Sequence, residues 1–287
     1  MRFKATLINQ KLFLNIVQAL EKVDKNGLIR LSKSKILFVS KQSDGENVQV
    51  YGTVVAQALF SEMKVSSKIR NEIAFEVHLK NLASALKTGT NALSTIVKLT
   101  RKHDVAYLSF EIRTQVSKKE TSNVVQVVQD VPIRVLQLEE IQARIVEPDY
   151  SQFCSNPLML SLPKLKEMKS VIDKMKSTHN GNVDVAGSPS GQLRLVVNST
   201  LVSIRTIYKG LTVRREGMNT NEVYTSEITV RLKSLSRFLH AHVTNPTDVD
   251  CIFIDGHALI MDVKLETSGV EETDKSYLTY YIAAVQD

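Results

Sequence analysis

Along most of the chain, apolar and polar residues alternate in short runs, the period-two signature of half-buried strands. In the first half this predicts strands at Arg2–Ile8, Gly27–Ser32, Ile36–Lys41, Asn47–Val55, Glu72–His78, Thr95–Arg101, Val105–Thr114 and Asn123–Val135. Ser43-Asp44-Gly45 and Lys25-Asn26-Gly27 supply turn residues between them. Four segments break the alternation with helical spacing. Over 10–24, Leu12, Phe13, Ile16, Val17, Leu20 and Val23 fall on one face, opposite Lys11, Asn15, Gln18 and Lys22. Over 79–89, Leu79, Leu82, Ala83 and Leu86 turn inward, and Lys80, Ser84 and Lys87 turn out.

Residues 136–157 lose both periods and contain Pro148 and Pro157, so they read as an interdomain linker. The same programme then restarts. A strand at Leu158–Leu162 leads through Pro163 into a helix over 163–177, with Leu165, Met168, Val171, Ile172 and Met175 inward and Lys166, Lys169 and Lys174 outward. Strands follow at Asn182–Ala186, Gln192–Asn198, Thr200–Tyr208, Val223–Val230, Asp250–Asp255, Ala258–Glu266 and Tyr277–Val285. A helix over 232–243 carries Leu232, Leu235, Phe238 and Leu239 inward, with Lys233, Arg237 and His240 outward. Residues 79–86 overlay 232–239 at an offset of 153, and Leu108, Phe110 and Ile112 fall on Met261, Val263 and Leu265. The reading is an α+β chain of two similar domains, 1–135 and 158–287, each with two helices on one face of antiparallel sheet.

Composition narrows the function. The 287 residues are 43% hydrophobic and 23% charged, which suits a globular chain with a core of its own. Cys154 and Cys251 lie far apart and outside any CxxC pattern, so they are expected as reduced thiols in an intracellular protein. No apolar run is long enough for a membrane helix, and the N-terminus lacks a signal-peptide core. Phosphate-loop, dinucleotide, HExxH and GxSxG signatures are absent. His240 and His242, two apart, point in different directions on a helix and cannot share a metal there. A hydrolase would need His240, His257 and Asp262 to converge in one pocket. Without these motifs the balance moves toward a binding or structural protein, and no cofactor is expected.

The net charge of +7 matters through its placement. If the four helices share a face, Lys11, Lys22, Lys80, Lys87, Lys166, Lys169, Lys233 and Arg237 form a positive track suited to phosphates without base readout. Solvated helix faces are the plainer account of any single lysine.

Several stretches then add a resemblance. These are Met1-Arg2-Phe3-Lys4-Ala5, Asn81 through Thr88, Asp130-Val131-Pro132-Ile133-Arg134-Val135, Leu162-Pro163-Lys164-Leu165 with Met168 through Lys176, Gly256-His257-Ala258-Leu259, and Leu278-Thr279-Tyr280-Tyr281-Ile282. In number and order, over nearly the whole chain, they resemble the Hus branch of the DNA sliding clamps. That branch belongs to the checkpoint clamp, the nine-one-one heterotrimer, and is akin to proliferating cell nuclear antigen. The resemblance implies a clamp fold and a non-enzymatic subunit in a nuclear ring with two other clamp-like checkpoint subunits. An ATP-dependent clamp loader would place the ring around double-stranded DNA at damage sites, for checkpoint signalling and recruitment of repair factors. It also implies edge strands near 123–131 and 200–208 that close the ring, with Val125, Val127, Ile204 and Ile207 as candidate contacts; sheet core is the competing account of those four. Residues 210–222, with Arg214 and Arg215, read as a polar loop. A homotrimeric replication clamp and a protein scaffold without DNA contact are the alternative readings.

Overall fold

The computed structural model describes all residues except 42–47, 68–70, 119–120, 154–156, 179–180, 200–201, 215–225, 268–274 and 286–287. The Ser43-Asp44-Gly45 turn, Cys154 and Arg215 therefore lie outside the described residues.

In chain order the elements begin β1 (Arg2–Leu7), α1 (Gln10–Glu21), β2 (Asn26–Leu31), β3 (Lys35–Lys41), β4 (Val48–Val55), α2 (Ala56–Leu59), β5 (Phe60–Ser66), β6 (Ile73–His78) and α3 (Leu79–Thr88). Next come β7 (Ser94–Lys102), β8 (Val105–Lys118), β9 (Thr121–Val135), α4 (Leu138–Arg144), β10 (Leu158–Ser161) and α5 (Leu165–Thr178). The chain ends with β11 (Asn182–Ser188), β12 (Gln192–Asn198), β13 (Ser203–Tyr208), β14 (Val213–Arg214), β15 (Ser226–Arg231), α6 (Leu232–Phe238), β16 (Asp248–Ile254), β17 (Ala258–Leu265) and β18 (Ser276–Ala283). Two compact units result. One comprises residues 1–40, 51–146 and 267–276, and the other 41–50, 147–266 and 277–287.

In the first unit the strand order is β4-β3-β2-β6-β9-β8-β7-β1-β5. Helices α1 and α3 cover one face. Phe13 of α1 reaches Phe38 of β3 and Phe60 of β5, with ring centroids 5.8 and 5.9 Å apart. Seven apolar side chains of α1 are buried. Each large one is worth about 1.5–3 kcal/mol, far more than helix propensity contributes. Asn9 caps α1 by accepting from the Leu12 N–H at 3.0 Å.

The second unit holds β14-β10-β16-β17-β18 and a four-stranded sheet in the order β13-β12-β11-β15. Helix α5 and helix α6 lie side by side, α6 continuing as a 3₁₀ turn over Leu239–Thr244. Phe238 packs edge-on against the buried Tyr280 at 5.3 Å.

Four sequence expectations change. The helix over 232–243 tightens to 3₁₀ geometry after Phe238 and stops at Asn245, whose φ is +50°. The stretch 136–157 is not wholly irregular. Glu140 accepts from the Gln137 N–H at 3.0 Å and opens α4. Ion pairs then hold α4 down, because Arg134 bridges Glu76 at 2.9 Å and Glu140 at 2.6 Å while Arg144 meets Glu76 at 3.1 Å. Helix α2 and strand β5 were not expected. Within the loop 210–222, Val213 and Arg214 pair with β10, and Arg214 Nε reaches Asp250 at 3.1 Å.

Candidate nucleic-acid interface and assembly edges

Helices α1 and α3 run antiparallel and are fastened at both ends. At one end the Leu79 N–H donates to the Lys25 carbonyl at 2.8 Å. At the other, Gln10 Nε2 donates to the Leu86 carbonyl, and Gln10 Oε1 accepts from Thr95 Oγ1 at 3.1 Å. Gly89 makes that second fastening possible, since a β-carbon there would stand 2.3 Å from Gln10 Nε2. The second unit repeats the first fastening, with the Leu232 N–H donating to Gly181 at 3.0 Å.

On this frame six of the eight basic side chains are exposed. Lys11 and Lys22 are eleven residues apart on one exposed line, and Lys80 and Lys87 are seven apart on another. Lys11, Lys22, Lys80, Lys87 and Lys166 are exposed and make no ion pair among the described residues. Lys233 is exposed, and Arg237 is half-buried rather than fully outward. Lys169 is also half-buried, and its ammonium lies 2.5 Å from Asp173, one turn on. Its charge is already answered, which sets it apart from its neighbours.

The candidate edges are open. Strand β9 pairs with β8 along its length but meets β6 only through Ile133, Arg134 and Val135. Upstream of Ile133 that side of β9 has no strand beside it among the described residues. Strand β13 pairs only with β12 and ends its sheet. Val125 is 41% exposed and Ile207 45%, while Val127 and Ile204 are half-buried. None of the four is closed core. Val124 and Val128, on the other face of β9, are more exposed still at 63% and 53%, and the sequence reading missed them. Their alternation with Val125 and Val127 was visible, but the missing neighbour strand was not.

The candidate hydrolase residues do not assemble into a site. Asp262 accepts from Thr279 Oγ1 at 3.2 Å. His257 sits on the β16–β17 turn against Phe153, 4.1 Å between ring centroids. His240 and His242 lie on the 3₁₀ turn with rings 6.2 Å apart. Among the described residues no cluster of three or more His, Cys, Asp or Glu could hold a metal. Cys251 is a buried free thiol, its pKa pushed up by burial. No helix among them is long and apolar enough to cross a membrane.

The family model for Hus1-like proteins matches residues 1–286. The chain belongs to the Hus1-like family. This Hus1-like chain is 27% identical over 304 residues to the checkpoint protein hus1 of Schizosaccharomyces pombe, covering 100% of both chains. It is 28% identical to the checkpoint protein HUS1 of Homo sapiens, over 92% of this chain and 95% of that one. Among solved structures it resembles the proliferating cellular nuclear antigen of Entamoeba histolytica at a TM-score of 0.69, with 13% identity and 99% of both chains covered. The corresponding antigen of Thermococcus kodakaraensis gives 0.67 with 14% identity, over 99% of this chain and 100% of that one. The fold is that of the sliding clamps.

Proposed function

We propose that this chain is one non-enzymatic subunit of a heterotrimeric checkpoint clamp, a nuclear ring that encircles duplex DNA at damage sites. In this reading its domains are 1–135 and 158–287, joined by 136–157. It supports checkpoint signalling and the recruitment of repair factors. Two other clamp-like subunits complete the ring, and an ATP-dependent loader places it on DNA, so no ATP site is needed here. The observation that carries the reading is the pair of unfinished sheet edges, β9 before Ile133 and β13. Each offers a row of main-chain donors and acceptors to a neighbour's strand. Membership of the Hus1-like family and relatives named as checkpoint proteins support it. The unpaired helix lysines supply phosphate contacts that read no bases, which lets a ring slide.

The test is solution mass by light scattering, for the chain alone and after co-expression with two clamp-like checkpoint subunits. A lone monomer that enters a one-to-one-to-one complex is expected. A stable homotrimer would replace this reading with a replication-type clamp, and failure to assemble would remove the ring altogether.

A further inference from the structure

The sheet face of the first unit that turns away from α1 carries a second basic surface. Phe3, Ala5 and Leu7 of β1 point into the core, so Arg2 and Lys4 point out from the opposite side. In the ladder register Lys4 stands opposite Lys64 of β5 on one side and opposite Lys98 of β7 on the other. Three lysines therefore lie side by side on neighbouring strands, about 4.8 Å apart from strand to strand. Like charges directly opposite one another destabilise a sheet. Lys98 is relieved by its ion pair with Glu111. Lys4, Lys64 and Arg2 are exposed and have no carboxylate partner among the described residues.

Edge protection accounts for Lys64, because β5 ends its sheet and a charge there discourages stray strand pairing. It does not account for Lys4, whose strand is paired on both sides. Beside the lysine row the β1–β5 ladder breaks. Lys4 pairs with Lys64 and Thr6 with Ser61, which leaves Ala5 facing both Glu62 and Met63. Glu62 adopts φ +50°, a left-handed conformation uncommon outside glycine. The break opens a cavity of about 410 Å³ lined by Lys4, Ala5, Thr6, Glu62 and Lys64. Bulges and strained residues recur beside binding sites.

We propose that this face binds an acidic peptide segment of a partner protein, lying across β5, β1 and β7 with its carboxylates on Lys4, Lys64 and Arg2. Three unpaired cations against the single carboxylate of Glu62 give the charge complementarity. A peptide fits better than a duplex, because the unpaired cations on these three strands are Arg2, Lys4 and Lys64 alone among the described residues, the next lysines along the face, Lys98 and Lys102 of β7, being already paired with Glu111 and Asp130. The surface lies behind the sheet from the helix lysines, and the proposal stands whether or not the chain joins a ring.

The test is fluorescence anisotropy with a labelled glutamate-rich peptide and the full chain, at low and at physiological salt. The Lys4→Glu, Lys64→Glu double variant is expected to bind about tenfold more weakly or worse, and Lys33→Glu with Lys35→Glu, exposed at the β2–β3 turn, to bind as the parent does. Lys4→Glu alone is expected to raise the melting temperature, since a carboxylate there would sit between two lysines. Equal binding by parent and double variant, or no binding by the parent at low salt, would overturn the proposal. So would a duplex oligonucleotide held through Lys4 and Lys64, which would assign the face to nucleic acid. A lowered melting temperature in Lys4→Glu would make the lysine row structural instead.

Discussion

The two helix pairs follow one leucine programme and finish differently. In the first unit, α3 stays α-helical to Thr88 and is fastened to α1 at both ends, through Lys25 and through Gln10. In the second, α6 keeps the fastening at its start but passes into a 3₁₀ turn after Phe238. At the shared offset, Ala83 and Ala85 of α3 correspond to Ser236 and Phe238. Alanine is the best helix former, whereas serine and phenylalanine are weaker. Buried leucines thus place a helix on its sheet, and the residues between them decide how regular its far end is.

The comparison can be broken most forcefully at its shared leucines. Leu82→Ala and Leu235→Ala should each cost about 2–5 kcal/mol in urea denaturation, since both side chains are buried. A large effect in one unit alone would break the equivalence. Gly89→Ala should displace Gln10 and cost about 1–3 kcal/mol by leaving buried polar groups unpaired. Hydrogen exchange should then rise at the α1 start and α3 end while α5 and α6 keep their protection. On the assembled complex, Lys80→Glu with Lys87→Glu should lower the slope of log affinity for duplex DNA against log salt by about 2. Lys169→Glu should move it less than Lys166→Glu, because Lys169 already faces Asp173.

The smallest effect concerns acid. The Arg144 guanidinium, helped by Arg134, holds the Glu76 carboxyl below its ordinary value of 4.5 against the opposing pull of burial. A depressed carboxylate stabilises the fold above its unfolded pKa, and that contribution is lost as pH falls through the folded value. Acidification below pH about 4.5 should therefore loosen α4. The partners are largely solvated, so Glu76→Gln should cost about 1 kcal/mol or less at neutral pH. Urea midpoints should show its remaining acid sensitivity smaller than the parent's.

Much of this architecture was legible because periodicity is local. The 3.6-residue stripe located α1, α3 and α5, and the offset of 153 tied α3 to α6. What escaped depended on distant partners or on short signals. Helix α2 and strand β5 follow β4 without a turn residue between them, and α2 has only four residues, too few for a period of its own, so nothing local marked either element. Helix α4 exposes all its side chains at least in part, and with no buried stripe only its Glu140 cap and its ion pairs with β6 and β9 define it. Strand β14 exists because β10 lies beside it. At the candidate site the helix lysines were readable, and so was the one-turn spacing of Lys169 and Asp173. The prominence of Val124 and Val128 was hidden, since it follows from how far β6 reaches along β9.

That short reach has a mechanical consequence. A partner strand joined to the bare stretch of β9 would be held by a single row of main-chain bonds running in from one end. Such a seam can be peeled like a zip, each bond yielding in turn, so the force needed at any instant is that of one or two bonds. It closes by the same route, with each bond formed bringing the next pair into line. A gate built this way can hold firmly under even load and still open cheaply when pulled from its tip.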